Sequence, residues 1–230
     1  MPSTGSPPSS PRSRCAPPVL RCPRTRYGRA IVSPRPNPPR ALVIIDMQRG
    51  IQDPKLGPRN NPEAEANIAR LLAAWREAGA PVVHVRHVSR TPGSVFWPGQ
   101  AGAEFQAALA PRDDEHVVEK NVPDAFVTTG LERWLHVRGI RGVVIVGVIT
   151  NNSVEATART SGNLGFETVV VSDAAFTFDK RDYAGTLRSA DEVHAMSLAN
   201  LEGEYAAIAT TAELLQAASA EGGGPAAAAR

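Results

Sequence analysis

The sequence predicts an α/β fold, with a parallel sheet covered by helices on both faces. Three observations lead there. Short apolar runs alternate with longer segments whose apolar residues recur at helical spacing. The runs are continuous rather than alternating, as in strands buried on both sides. No period repeats along the chain, which leaves βαβ units rather than a solenoid. The folded domain is expected over residues 41–218 of the 230.

Ala41-Leu42-Val43-Ile44-Ile45-Asp46 is the first strand, ending in an acid. Pro62 to Ala78 reads as a helix capped by Asn61 and started by Pro62, with Ile68, Leu71, Leu72 and Trp75 as its apolar stripe. Gly79 stops it, and Pro81 to His87 is the second strand. Residues 88–115 form a long connection containing Pro92, Gly93, Pro98, Gly99 and Gly102. A loop of that length in a compact domain is often part of a site. His116 to Glu119 is a short strand leading to Lys120, and Thr129 to Val137 is a helix closed by Gly139. Gly142 to Gly147 is the most buried-looking strand, followed by a helix from Asn152 to Leu164. Glu167 to Val171 is a strand ending at Ser172-Asp173, Leu187 to Leu201 a helix, and Tyr205 to Ala209 the last strand. Thr211 to Ala218 closes the domain as a helix, capped by Thr210 or Thr211.

The flanks differ in composition. Residues 1–40 are rich in Pro, Ser and Arg, contain no acid, and are expected to form a disordered tail, because they bury too little apolar surface to offset their ordering entropy. Residues 219–230, Gly- and Ala-rich, are expected to be a flexible C-terminal tail. Removing the eight arginines of the first stretch from the 25 basic residues leaves 17 against 23 acidic ones. The rest of the chain therefore carries a net negative charge and no basic stripe for nucleic acid. No segment approaches the ~18 apolar residues of a membrane span. The leader lacks the apolar core of a secretory signal, and its prolines oppose the amphipathic helix of a transit peptide. Cys15 and Cys22 lie in that leader and make no disulfide framework. A cytoplasmic location is the expectation.

Three groups carry chemistry. Asp46 ends a buried strand, where an isolated carboxylate needs a partner or a task. Lys120 closes another strand. Ser153 lies in Gly147-Val148-Ile149-Thr150-Asn151-Asn152-Ser153, a strand-to-helix turn. A helix N-terminus offers unpaired N–H groups and a positive dipole end to a developing anion. In parallel sheets ligands bind beyond the carboxyl ends of the strands, where all three groups fall. Each has a bland alternative: a structural hydrogen bond for Asp46, an exposed strand-end lysine for Lys120, a helix-start serine for Ser153.

With Val43-Ile44-Ile45-Asp46-Met47-Gln48, Glu119-Lys120, Gly147-Val148-Ile149-Thr150-Asn151 and Val154-Glu155-Ala156-Thr157-Ala158-Arg159 in this order, the chain resembles the isochorismatase-like (cysteine hydrolase) superfamily. The resemblance runs from about Ala41 to Leu215 and includes Gly162-Asn163-Leu164-Gly165-Phe166 and Val171-Ser172-Asp173-Ala174. It implies a Rossmann-like three-layer α/β/α fold with a six-stranded parallel sheet. It also implies an Asp–Lys–Cys-type triad carried onto Asp46, Lys120 and Ser153, a cis peptide at Val148–Ile149, and an oxyanion hole from the N–H groups of Ile149 and Ser153. A homo-oligomer, dimer or tetramer, is expected by the same resemblance.

The departure is Ser153, where the family's amidases hold cysteine. An alcohol is a much weaker acid than a thiol and normally needs a dedicated base. Three readings of the serine stand: a variant that attacks slowly or positions water, an inactivated form of a cysteine enzyme, or a reaction that needs no nucleophile. Three functions on a small-molecule substrate stand beside them. The first is hydrolysis of an amide, carbamoyl or ureido C–N bond. The second is cleavage of a vinyl ether led by Asp46, which asks for a basic pocket from Lys120 with Arg86 or Arg159. The third is ligand binding without catalysis. Substrate contacts are expected from His87, Trp97, Phe126 and Asn151, although His87 and the aromatics, Phe96 included, read equally as structural anchors. His116, His136 and His194 are expected at surfaces or helix ends. His84 and His87 lie three apart on one strand and face opposite sides, so they cannot share a metal. No metal and no cofactor are expected.

Overall fold

The computed structural model describes residues 40–222, with side chains described through residue 218. The expected N-terminal tail lies outside the described residues except for Arg40, which belongs to the first strand. Residues 223–230 also lie outside.

Six strands form one parallel sheet in the order β3-β2-β1-β4-β5-β8. They are β1 (Arg40–Ile45), β2 (Val82–His87), β3 (His116–Lys120), β4 (Gly142–Val148), β5 (Glu167–Phe176) and β8 (Ala207–Ala209). A separate antiparallel hairpin pairs β6 (Lys180–Arg181) with β7 (Leu187–Arg188). The fold is the three-layer α/β/α arrangement expected. Side chains of β1 alternate between two cores, as they must in a strand covered on both sides. Leu42 and Ile44 join Ile68, Leu71 and Trp75 of α1 (Ala64–Glu77) and Leu214 of α5 (Thr211–Gly222). Ala41, Val43 and Ile45 join Leu131 and Leu135 of α2 (Leu131–Val137), Ala158 of α3 (Glu155–Asn163) and Leu201 of α4 (Ala190–Leu201). Among the described residues no helix is long and apolar enough to cross a membrane.

Several expected boundaries move. Helix α1 starts at Ala64 and is not capped by the Asn61 side chain. Asn61 has φ 45° and donates its amide to the Ser172 and Ala175 carbonyls, tying the helix entry to β5. Strand β5 does not stop at Ser172-Asp173. The chain bulges there, since Ile145 pairs with Val170 and Gly147 with Ala175, and the strand resumes to Phe176. A polar pair in mid-strand is what a bulge permits. Asp173 uses it to accept from the Thr211 N–H and hydroxyl at the start of α5, while Thr210 and Glu213 make reciprocal capping bonds. The helix expected from Leu187 begins at Ala190, behind a Ser189–Glu192 capping box, and Leu187 belongs to the hairpin. Helix α5 runs to Gly222 rather than Ala218.

The long connection 88–115 is held at its far end by a buried ionic cluster. Arg76 of α1 makes a bidentate bond to Glu115, and His84 Nε2 lies 2.8 Å from the same carboxylate. Burial raises the Glu115 pKa, but Arg76, the Arg112 N–H and His84 outweigh it and lower the carboxyl to about 2. Its stabilising contribution is therefore complete above its ordinary pKa of 4.5 and is lost as pH falls from there toward 2. His84 has the same sign: burial lowers its pKa from 6.5, so protonation below that value costs stability. Glu115→Gln is expected to be less stable than wild type by about 2 kcal/mol at neutral pH in urea unfolding. The gap should close as pH falls through 4.5 toward 2. A gap independent of pH would show that the carboxylate charge contributes nothing.

Candidate active site

Strand order reverses between β1 and β4, so a crevice opens beyond their carboxyl ends. Asp46 follows β1 directly and takes a left-handed conformation, φ 52°. His87 and Lys120 end β2 and β3, and the turn after β4 carries Ser153. Gly147 has φ 112°, and a Cβ there would sit 2.2 Å from the Ile45 carbonyl oxygen. Only glycine lets β4 pass β1 this closely before the turn. The Val148–Ile149 peptide is cis. Residues Thr150–Val154 form a wide first turn, with the Val154 N–H reaching Ile149 O at 3.2 Å, and α3 continues from it.

The three groups expected to meet do meet. Lys120 Nζ lies 2.6 Å from Asp46 Oδ2 and 3.2 Å from Ser153 Oγ. It also lies 3.5 Å from His87 Nδ1. Asp46, Lys120 and Ser153 are 3%, 2% and 6% exposed. Asp46 Oδ1 is buried with no hydrogen-bond partner among the described residues. Burial raises the Asp46 pKa above 3.8, opposed by Lys120, Ser153 and His87, so this carboxylate holds a proton more readily than an ordinary one. Burial, then the Lys120 charge, lowers the His87 pKa below 6.5, which keeps the imidazole neutral at pH 7. A carboxylate of raised proton affinity, a cation and a hydroxyl at a helix start can together move a proton and attack a carbonyl.

These groups border a cavity of about 120 Å³, lined by Asp46, His87, Ser94, Phe96, Pro123, Val148, Ile149, Asn152 and Ser153. That is well below the ~300–1,000 Å³ of pockets that bury drug-sized ligands. Lys120 lies behind this surface. His87 is placed as expected, tilted against Phe96 at 5.9 Å. Buried Gln48 clamps its backbone, accepting from the His87 N–H at 2.7 Å and donating to its carbonyl at 3.0 Å. Three expected contacts are not brought to the cavity. Phe126 is buried in the core with Phe166, Trp97 is 39% exposed and does not line the cavity, and the Asn151 side chain accepts from the Thr177 hydroxyl at 2.6 Å. Their neighbours Phe96 and Asn152 take those places. Ser94 and Phe96 belong to a strap pressed onto Gly50 and Gly102, where a Cβ would lie 2.4 and 2.3 Å from the Val95 carbonyl oxygen.

His194 differs from expectation too. It is buried, with Nδ1 2.9 Å from Thr150 Oγ1. His84 faces the Glu115 cluster, away from His87. Among the described residues no three His, Cys, Asp or Glu side chains gather in a way that could hold a metal ion.

The chain is similar to several known proteins. The family described as Isochorismatase domain matches residues 40–213. YrdC of Bacillus subtilis, an isochorismatase-family protein, is 42% identical over 176 residues, covering 76% of this chain and 94% of that one. Streptothricin hydrolase of Streptomyces noursei is 37% identical over 142 residues, 60% of this chain and 50% of that one. The crystal structure of an isochorismatase-family protein from Chromobacterium violaceum superposes with a TM-score of 0.76 at 50% identity, covering 79% of this chain and 94% of that one.

Proposed function

The chain belongs to the isochorismatase family of hydrolases, and from that premise we propose that it cleaves a C–N bond (amide, carbamoyl or ureido) in a small uncharged molecule. The observation that carries this reading is Lys120 Nζ bridging, from behind, the Asp46 and Ser153 side chains that line one small cavity. Ser153 Oγ attacks the carbonyl carbon, and its proton passes to Asp46, whose raised pKa suits it to accept. The oxyanion lies against the N–H groups of Ile149 and Ser153 at the helix start. Asp46 returns the proton to the leaving nitrogen as the C–N bond breaks. It then takes a proton from the water that attacks the Ser153 ester and passes it to the departing Oγ, which releases the carboxylic acid and restores the serine hydroxyl. Lys120 holds the carboxylate and the hydroxyl in register.

The vinyl-ether reading asks for cations facing a dicarboxylate, and no arginine or lysine lines the cavity among the described residues. Arg86 is paired with Glu119 and Arg159 with Glu155. That reading therefore ranks below, and a purely ligand-binding role leaves the Asp46–Lys120–Ser153 contacts without a task. The proposal also has the chain acting as a homo-oligomer on a small-molecule substrate, without nucleic acid or membrane.

Turnover of a panel of small neutral amides and carbamoyl compounds by wild type and Ser153→Ala tests the reading. Ser153→Ala is expected to lose about 10³-fold or more in kcat. Full activity in Ser153→Ala would place the chemistry on Asp46 alone and favour ether cleavage.

A further inference from the structure

The turn that carries Ser153 is pinned from below by α4. His194 Nδ1 lies 2.9 Å from Thr150 Oγ1. One helical turn on, Ser197 Oγ lies 3.1 Å from the Thr150 carbonyl oxygen and 2.6 Å from a Glu155 carboxylate oxygen. Residues three apart share a helix face, so both groups address Thr150, His194 at its hydroxyl and Ser197 at its carbonyl. Thr150 is fully buried, and His194 and Ser197 nearly so. The Ser172 backbone in the β5 bulge also contacts His194, so the imidazole links the bulge to the turn. On the opposite side the Asn151 side chain is tied to Thr177.

From this geometry we infer that His194 is a positioning residue for the Ser153 hydroxyl, acting through Thr150. The inference rests on Ser153 being the attacking group. Two apolar positions would pack α4 against the turn equally well, so a buried polar pair here sets an orientation rather than adding cohesion. Buried hydrogen bonds of this kind contribute little net stability but fix geometry. A misplacement of ~1 Å at a reacting group can cost about 10²-fold in rate.

The test reads the reactivity of Ser153 without a known substrate. Methanesulfonyl fluoride reacts as Oγ bonds to sulfur, fluoride leaves and the hydroxyl proton passes to Asp46. Peptide mass analysis locates the sulfonyl group, and its rate of appearance is the readout. His194→Phe and Thr150→Val are each expected to slow labelling about tenfold or more. The double variant should be no slower than the slower single one, because both remove one link. His194→Asn, whose amide can replace Nδ1 toward Thr150, should recover most of the rate. Unfolding midpoints, measured in parallel, should leave every variant folded at the labelling temperature. A folded His194→Phe labelled as fast as wild type overturns the inference, as does a double variant showing the product of the two single losses. Wild type that is folded and unlabelled at Ser153 overturns the nucleophile reading itself, and the inference with it.

Discussion

Replacing Ser153 with cysteine is expected to raise amide turnover roughly tenfold or more, equivalent to about 1.4 kcal/mol of barrier. In the proposed mechanism the surroundings of residue 153 favour an ionised nucleophile. The residue sits at a helix start, 3.2 Å from a buried ammonium, and is almost closed to solvent. Those features lower a thiol's pKa effectively, because a thiol begins near 8.5. An alcohol begins far higher, and the same field leaves it protonated. Serine enzymes compensate with an imidazole base. Here His87 lines the cavity, but its imidazole Nδ1 faces Lys120 Nζ at 3.5 Å rather than the hydroxyl. The cysteine variant should also become sensitive to iodoacetamide at residue 153. A variant that stays inert across the amide panel and unreactive to alkylation removes the covalent assignment.

Asp46→Asn is expected to reduce kcat by about 10³-fold or more, in line with loss of a general acid–base group. It should reduce stability as well. Lys120 would keep a buried charge without its partner, and breaking a buried pair from one side costs about 3–5 kcal/mol. The two effects separate in Asp46→Asn/Lys120→Met, which replaces the stranded charge by a chain of similar length. That double variant should regain stability and remain inactive. Recovery of activity together with stability would mean that Asp46 serves only as a counter-ion.

Much of this was legible in the sequence. A polar group at the end of a continuous apolar run stands out because burying it is costly, and Asp46 is of that kind; Lys120 and Ser153 read singly as a strand-end lysine and a helix-start serine, and gain weight only together and through the resemblance. The six strands were legible for the same reason: apolar runs bounded by glycine and proline leave few alternatives. What was missed depends on contacts between distant segments. The bulge in β5 looked like a strand end because Ser172-Asp173 is polar, and its purpose appears only when Asp173 meets Thr211 and Asn61 meets Ser172. The start of α4 was readable from Ser189 and Glu192, a capping-box spacing that the apolar Leu187 obscured. In the strap over the cavity, Phe96 rather than Trp97 faces the site, and in the turn Asn152 rather than Asn151. Such single-residue choices follow from how irregular backbone packs on Gly50, Gly102 and Thr177, and no periodicity records them.

The most direct test is acid quenching during turnover of a small amide, followed by peptide mass analysis. The account predicts the acyl group of the substrate bound as an ester on the peptide containing Ser153, absent from Ser153→Ala. Steady turnover with no adduct at any quench time, retained in Ser153→Ala, would contradict it.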